Sequence, residues 1–321
     1  MPNTRLTRTL SLAAVSGLVA ASMVACAPAE GAGDTITVGT LRAQPHLYTP
    51  YFYDQFAPEG KSFEIVLFDS SSDIKNAVVS GSVDLGVTGA PSVLAGLADG
   101  QDVKIIASSA DGGSRIVGAP DITDPQDLAG KTIGYPMGAS QEILLKLTLE
   151  DLGIDPDNDV TLVNLPFSEM ANAYTSGQID AMSSAEIGPS VAMDAGAVDI
   201  VSPYDTPVGE VNIVLAATGE FVAEEPDLAQ EVVDTHIQAS EYMAENPEEW
   251  SAGLVEDFGM DAAVADLAIQ NVTPRWELDD DYQAQVAALA EQMLAFGQVS
   301  EGVDTSAALD PTFVDASTVN D

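Results

Sequence analysis

The chain has 321 residues, a length that suits about two domains, and 46% of them are hydrophobic, enough for packed cores and too many for a disordered chain. Acidic residues number 51 against 10 lysines and arginines, a formal charge of −41. That balance excludes nucleic acid and anionic membrane faces as general partners, since both require clustered cations.

The charge reads as a solvated acidic coat, and it also suits salty surroundings, where ions screen the self-repulsion. At the N-terminus, Arg5 and Arg8 precede an apolar, small-residue stretch from Leu10 to Val24 that is too short and too rich in Ala and Ser to span a bilayer well. The stretch ends in Met23-Val24-Ala25-Cys26, which resembles a bacterial lipobox, and Cys26 is the single cysteine of the chain. A lone cysteine placed there reads as a lipidation site. Residues 1–25 are thus expected to be a lipoprotein signal peptide. Residues 26–34, rich in Pro, Gly and small residues, form a flexible tether. The mature protein is expected outside the membrane, held to it by lipid alone.

From Thr35 to about Thr218, strand and helix patterns alternate, which predicts parallel-rich sheets covered by helices. Strands are predicted at 36–40, 63–68, 85–88, 103–108, 132–135, 161–165, 181–184 and 212–216. Helices are predicted at 48–56, 72–79, 93–98, 140–152, 169–175 and 190–195. The pair Gly112-Gly113 and the run from Gly118 to Pro125 mark a change of regime, where the chain passes from one lobe to another. Beyond Thr218 the pattern turns helical. Pro226 and Pro247 each sit in a first turn, and further helices are predicted at 261–270 and 279–296. These helices need a face to cover, and the first lobe supplies it. Pro311-Thr-Phe-Val314 is an apolar knot in the tail, predicted to dock.

One segment occurs twice. Asp73-Ile-Lys-Asn-Ala-Val-Val-Ser-Gly-Ser-Val-Asp84 returns 96 residues later as Glu169-Met-Ala-Asn-Ala-Tyr-Thr-Ser-Gly-Gln-Ile-Asp180, without a gap. Each copy reads as a helix end, a Gly stop and a strand start. Two similar lobes in one chain make a cleft, and clefts bind ligands.

Two longer motifs carry a family resemblance: Gly81-Ser-Val-Asp-Leu-Gly-Val-Thr-Gly-Ala-Pro-Ser92 followed by Gly100-Gln-Asp-Val-Lys-Ile-Ile106, and Asp127-Leu-Ala-Gly-Lys-Thr-Ile-Gly-Tyr-Pro-Met-Gly-Ala-Ser140. With them, residues 35 to 315 resemble a type II periplasmic-binding-protein fold. More closely, they resemble the substrate-binding lipoproteins of ABC importers in the nitrate, sulfonate, taurine and thiamine-precursor group. The resemblance implies an α/β protein of two lobes, each a central mixed sheet flanked by helices, joined by two crossover strands near 109–119 and 208–216. Lobe I is expected to comprise 35–113 and 216–321, and lobe II 114–215. It also implies a monomer that binds a small organic solute of sulfonate, amine or pyrimidine type in the cleft, then delivers it to a membrane permease and ATPase. A ligand-sensing receptor domain is the alternative; a pyrimidine-synthase-like enzyme is a lesser one, since the cysteine cluster of such fold relatives is missing.

The residues point to the same cleft. In Thr88-Gly89-Ala90 a strand ends in small residues before a helix, and Gly138-Ala139-Ser140 repeats the arrangement in the second lobe. Helix N-termini with free donors and a positive dipole end attract anions or carbonyl groups. One such turn alone reads as an ordinary helix start, whereas two at matching positions read as a site. Arg42, Gln44 and His46 follow the first strand and offer a cation, an amide and an imidazole, or form a solvated loop. Ser71 fits a hydroxyl contact or a plain helix start, and Ser109 ends the fourth strand where the family places contacts. Glu186, in register with Ala90, is a candidate acceptor for a ligand amine or heterocyclic N–H. Asn212 lies at the return crossover. His236, inside an amphipathic helix, reads as structural. Without paired His spacing, a nucleophile elbow or a phosphate loop, no metal, cofactor or catalytic site is expected.

Overall fold

The computed structural model describes residues 34–319. The signal segment, Cys26 and the tether up to residue 33 lie outside the described residues. The chain builds β1 (Asp34–Leu41), α1 (Tyr53–Phe56), β2 (Lys61–Phe68), α2 (Ser71–Val79), β3 (Leu85–Gly89), α3 (Ala90–Ala98) and β4 (Lys104–Gly112). It continues through β5 (Ser114–Gly118), β6 (Thr132–Tyr135), α4 (Ser140–Asp151), β7 (Thr161–Asn164), α5 (Phe167–Thr175), β8 (Ala181–Ala185), α6 (Gly188–Asp194), β9 (Val198–Val201) and β10 (Val211–Ala217). The C-terminal part holds α7 (Gly219–Glu224), α8 (Pro226–Glu245), α9 (Pro247–Phe258), α10 (Ala262–Ile269), β11 (Val272–Pro274), α11 (Asp280–Ala295), α12 (Thr305–Ala308) and α13 (Thr312–Ala316).

The strands form two mixed sheets, ordered β11-β4-β10-β3-β1-β2 and β7-β6-β8-β5-β9. In the first, β1 runs parallel to β2 and β3, while β10 runs antiparallel between β3 and β4. In the second, β6 is parallel to β7 and β8, and β5 is antiparallel to β8 and β9. All eight predicted strands are present. β5 falls within the crossover strand expected near 109–119, and the sequence predicts nothing at β9 or β11, which are too short to show a period of two.

The chain changes sheet between Gly112 and Ser114 and returns between Val201 and Val211. Lobe II is predicted to run to residue 215, but β10 pairs with β3 and β4 over its length and belongs to the first sheet. The reason is burial. Every residue of Val211–Ala217 is covered on both faces, as a central strand requires.

The predicted helix at 48–56 is instead two 3₁₀ turns, Pro45–Leu47 and Thr49–Phe52, followed by α1. Pro45 and Pro50 each open a turn, and neither has an N–H with which to continue a helix. Tyr48, Phe52 and Tyr53 from this stretch are buried, with Tyr48 stacked on Tyr51 at 4.4 Å. The helices beyond Thr218 cover the first sheet, and the largest apolar cluster joins Val232, Ile237, Met243, Val286 and Leu289 to Val38, Ile105 and Val214. Phe313 and Val314 of the tail are docked into it. His236 is fully buried there. Its Nε2 donates to the Ser108 carbonyl at 2.7 Å, which leaves Nδ1 to accept the Tyr53 hydroxyl at 2.6 Å. The second sheet has a separate cluster on each face, one around Ile133, Leu145 and Leu149, the other around Met170, Ile179 and Met182.

The repeat has a common physical role in its two copies. Asp84 accepts the Thr37 amide at 2.7 Å, and Asp180 accepts the Thr132 amide at 2.8 Å, so each carboxylate staples the start of one strand to its parallel neighbour. Gly81 and Gly177 lie at φ +69° and +72°, closing α2 and α5 with left-handed turns that L side chains resist. The duplicated residues therefore build a helix stop and a strand start.

Candidate functional site

Ser114 is paired with Ala185 in the second sheet, and Gly112 ends β4 in the first, so both sheets bring strand ends to the crossover Gly112-Gly113-Ser114. Gly112 and Gly113 have φ +76° and +75°. A Cβ on Gly112 would lie 2.6 Å from the Asn271 carbonyl oxygen, and one on Gly113 would lie 3.2 Å from the His46 ring. The crossover thus needs glycine for both conformation and space. Tyr204 closes it from one side, its hydroxyl accepting the Ser114 amide and donating to the Ser114 carbonyl. Asn271 closes it from another, its carbonyl accepting the Gly113 amide at 2.7 Å.

Around this crossover the structure gathers part of the predicted set. His46 and Asn212 both lie against Gly113. Asn212 Nδ2 donates to the Gly112 carbonyl at 2.6 Å, and its Oδ1 takes a long 3.4 Å contact from the Ser140 hydroxyl. Because Ile213 pairs with Gly89, Asn212 stands beside the start of α3, and Ser140 is the first residue of α4. Two helix starts, one from each sheet, are therefore brought to one place. Neither N-cap residue, Gly89 nor Ala139, supplies a capping side chain. By contrast, α2, α7, α10 and α11 are capped by Ser70, Thr218, Asp261 and Asp279. His46 Nδ1 is buried without a partner, and burial holds this imidazole down to about 3.

Other predicted residues are placed differently. Ser71, Thr88 and Gly89 bond to one another: the Thr88 hydroxyl donates to the Ser71 carbonyl at 3.0 Å, and the Gly89 amide reaches the Ser71 hydroxyl at 3.3 Å. With Ala90 buried beside them, they scaffold the start of α3. Arg42 stands with its side chain 59% exposed, 3.9 Å from a still more open Asp69. Gln44, two residues further on, is half-buried. Ser109 lies in β4 at a register shift against β10, its hydroxyl buried and unpartnered. Gly138 sits at φ +80° and donates to Glu142 at 2.7 Å.

Glu186 is the main correction. Predicted to meet a ligand amine at the rim, its side chain is 0% exposed and bonded internally. Arg115 Nε lies 2.9 Å from Oε1, Asn271 Nδ2 3.1 Å from the same oxygen, and the Ser190 hydroxyl 2.7 Å from Oε2. Arg115 also pairs with Asp199 at 2.5 Å. Burial pushes the Glu186 carboxyl up, against the pull of Ser190, Arg115 and Asn271. The acid has no lone pair aimed into an open cleft.

Arg115 and Asn271 on Glu186, Tyr204 on Ser114 and Gln298 on the Ala139 carbonyl are neighbours of the candidate site that the sequence does not flag. A second missed group is Asp111 with Arg275, at 2.7 Å, where Arg275 also lies over the Tyr282 ring. One signal was available: in a chain with 10 cationic residues, each arginine is a scarce counter-charge, and both of these neutralise buried acids. Among the described residues, no group of three or more His, Cys, Asp or Glu could hold a metal ion. Two surface concavities, of about 520 and 390 Å³, lie beside α5 and between α1 and α8, and no predicted site residue lines them.

Comparison with known proteins agrees with this architecture. The chain is 27% identical over 217 residues to the formylaminopyrimidine-binding protein of Halalkalibacterium halodurans, covering 63% of each chain. It is 29% identical over 206 residues to the taurine-binding periplasmic protein of Escherichia coli, covering 61% of this chain and 62% of that one. The crystal structure of the periplasmic aliphatic sulphonate binding protein SsuA from Escherichia coli superposes with a TM-score of 0.74 at 18% identity, over 85% of this chain and 91% of the other. The likeness extends the two-sheet α/β architecture to that of periplasmic binding proteins. A family model described as NMT1/THI5 like matches residues 53–250, more than half the chain, and the chain belongs to that family.

Proposed function

We propose that this chain is the extracytoplasmic solute-binding component of an ABC uptake system. Its two sheets act as lobes that hinge at the crossovers near Gly113 and in residues 202–210, and they close on one small organic solute. The observation that carries this reading is the convergence of two uncapped helix starts, at Gly89 and Ala139, on Asn212. Backbone donors and the positive ends of two helix dipoles favour a ligand that offers acceptor oxygens or ring nitrogens. With Glu186 already bonded to Arg115, the balance of the cleft is toward donors, which suits a sulfonate group or a pyrimidine better than a bare amine. Relatives named for taurine and formylaminopyrimidine binding support this solute class.

The chain binds its solute and releases it unchanged, and no covalent bond is made or broken. The closed form presents the solute to a membrane permease, and the chain works as a monomer held to the membrane through a lipid on Cys26. Thermal shift with taurine, a longer alkanesulfonate, nitrate and an aminopyrimidine tests the reading. A ligand at a hundred times its Kd adds about 2.7 kcal/mol, a rise of roughly 4–5 °C in melting temperature for a protein of this size. No rise with any of the four would contradict it. For the anchor, mass spectrometry of the mature N-terminal peptide should show a diacylglyceryl group on Cys26, and an unmodified thiol would remove that part of the proposal.

A further inference from the structure

We propose that Gln298 is a positioning residue of the cleft, holding the Gly138–Ser140 turn from the opposite lobe; this rests on reading that turn as part of the solute site. Gln298 follows α11, which packs on β10 and α3 of the first sheet. Its side chain crosses to α4 in the second. Nε2 lies 3.3 Å from the Ala139 carbonyl and 2.9 Å from Glu142 Oε2, so both amide hydrogens are used on the start of α4. Oε1 of Gln298 is buried without a partner among the described residues, so the donor end alone fixes the side chain.

Glu142 relays the contact. The same Oε2 accepts the Gly138 amide at 2.7 Å, and Oε1 pairs with Lys146 at 2.6 Å. Lys146 in turn lies 5.1 Å from the Phe296 ring, a second contact from the end of α11. Burial raises the Glu142 carboxyl, yet bonds from Gly138, Lys146 and Gln298 together hold it below its ordinary value, as for an acid kept ionised by its donors.

Beyond the long Ser140–Asn212 contact, the turn is held from within its own lobe, the Met137 amide donating to Asn164 Oδ1 at 3.0 Å and the Ala139 amide to the Pro136 carbonyl at 3.3 Å. Gly138 has no Cβ, nothing lies within 4 Å of where one would be, and Ala139 cannot cap. Bonds to an ionised carboxylate are the strong class of hydrogen bond. Two such bonds converging on Glu142 fix the geometry of the first turn of α4, which is the part that would meet the solute. Gln298 touches the frame of the site and leaves the solute-facing amides clear.

Hydrogen–deuterium exchange on the solute-free, full-length protein tests this. In Gln298→Ala, amides 138–142 should exchange about tenfold faster while β4 and β8 stay unchanged. Gln298→Glu, which sets two carboxylates together, should exceed that, and adding Glu142→Gln should restore part of the protection by reversing the acid–amide bond, the donation to the Ala139 carbonyl staying lost. Unchanged exchange at 138–142 in Gln298→Glu would overturn the proposal, as would no recovery in the double variant, or a rise spread evenly over both sheets. No solute is added, so failure here is distinct from failure to find a ligand.

Discussion

The side-chain amide of Asn271 donates to Glu186 at 3.1 Å, joining a residue beside β11 in the first sheet to an acid at the end of β8 in the second. The same nitrogen donates to the Ser114 carbonyl at 3.1 Å. One amide therefore ties together both sheets and the strand that connects them. Glu186 is held from three sides, and the cation that balances it, Arg115, has a side chain only 16% exposed. Removing one partner of a buried pair leaves the other uncompensated, which costs about 3–5 kcal/mol. Arg115→Leu should lower stability by that amount in urea titration. Asn271→Ala, which removes hydrogen bonds and no charge, should lower it by about 1–3 kcal/mol. Equal, small effects would show that Glu186 is protonated and does not need its cation.

Glycines with positive φ should separate by what surrounds them. Gly112→Ala meets both a strained backbone and the Asn271 carbonyl oxygen at 2.6 Å, so a loss of about 2–4 kcal/mol is expected. Gly81→Ala meets only strain, with nothing within 4 Å, and should lose about 1 kcal/mol. Similar losses at the two positions would mean that space at the crossover is not limiting.

Acid should weaken the fold through its two histidines. Burial lowers His46 to about 3 and, against the bond to Ser108, lowers His236 to about 4, while both start from 6.5 when unfolded. Above pH 6.5 both are neutral in either state and add no slope. Below it the unfolded chain takes up protons that the native chain refuses, so stability falls until pH reaches the folded values. Each imidazole contributes up to about 1.4 kcal/mol per pH unit in that window. Asp111 and Glu186, raised by burial, act in the opposite sense at the acid end. Comparing His46→Gln with the wild type isolates one group: between pH 6 and 5 its stability should fall less steeply, by about 1 kcal/mol per unit. Parallel slopes would show that His46 is not buried as a neutral ring.

Charge sets a further expectation. At −41 the chain repels itself, and the Debye length shrinks from about 10 Å at 0.1 M salt to about 3 Å at 1 M. The urea midpoint should rise with sodium chloride over that range. A flat or falling midpoint would argue that the acidic coat carries no folding penalty.

Much of the fold was legible in the sequence because the repeat is a backbone device. Asp84 and Asp180 staple strands, and Gly81 and Gly177 stop helices, in ways that a one-dimensional pattern records. The two turns were legible as helix starts rich in small residues, although Ala139 and not Ser140 takes the N-cap position of α4. What failed was partner assignment. Glu186 looked open because its cation, Arg115, stands 71 residues away in the crossover strand β5, and its amide, Asn271, is 85 residues away. Likewise Ser71 and Thr88 looked available to a solute, and pairing across 17 residues engages them with each other. Pattern shows where an element begins. It does not show which polar atom meets which across the cleft.

The central claim is that a small solute sits between the sheets at the start of α4, where Ser140 is 3% exposed beside Asn212. Calorimetric titration of the solute that raises the melting temperature, into wild type and into Ser140→Trp, tests it most directly. The account predicts one site in the wild type and at least about a hundredfold weaker binding in the variant, roughly 2.7 kcal/mol, with the fold intact by circular dichroism. Equal affinity in both proteins would place the solute elsewhere and contradict the account.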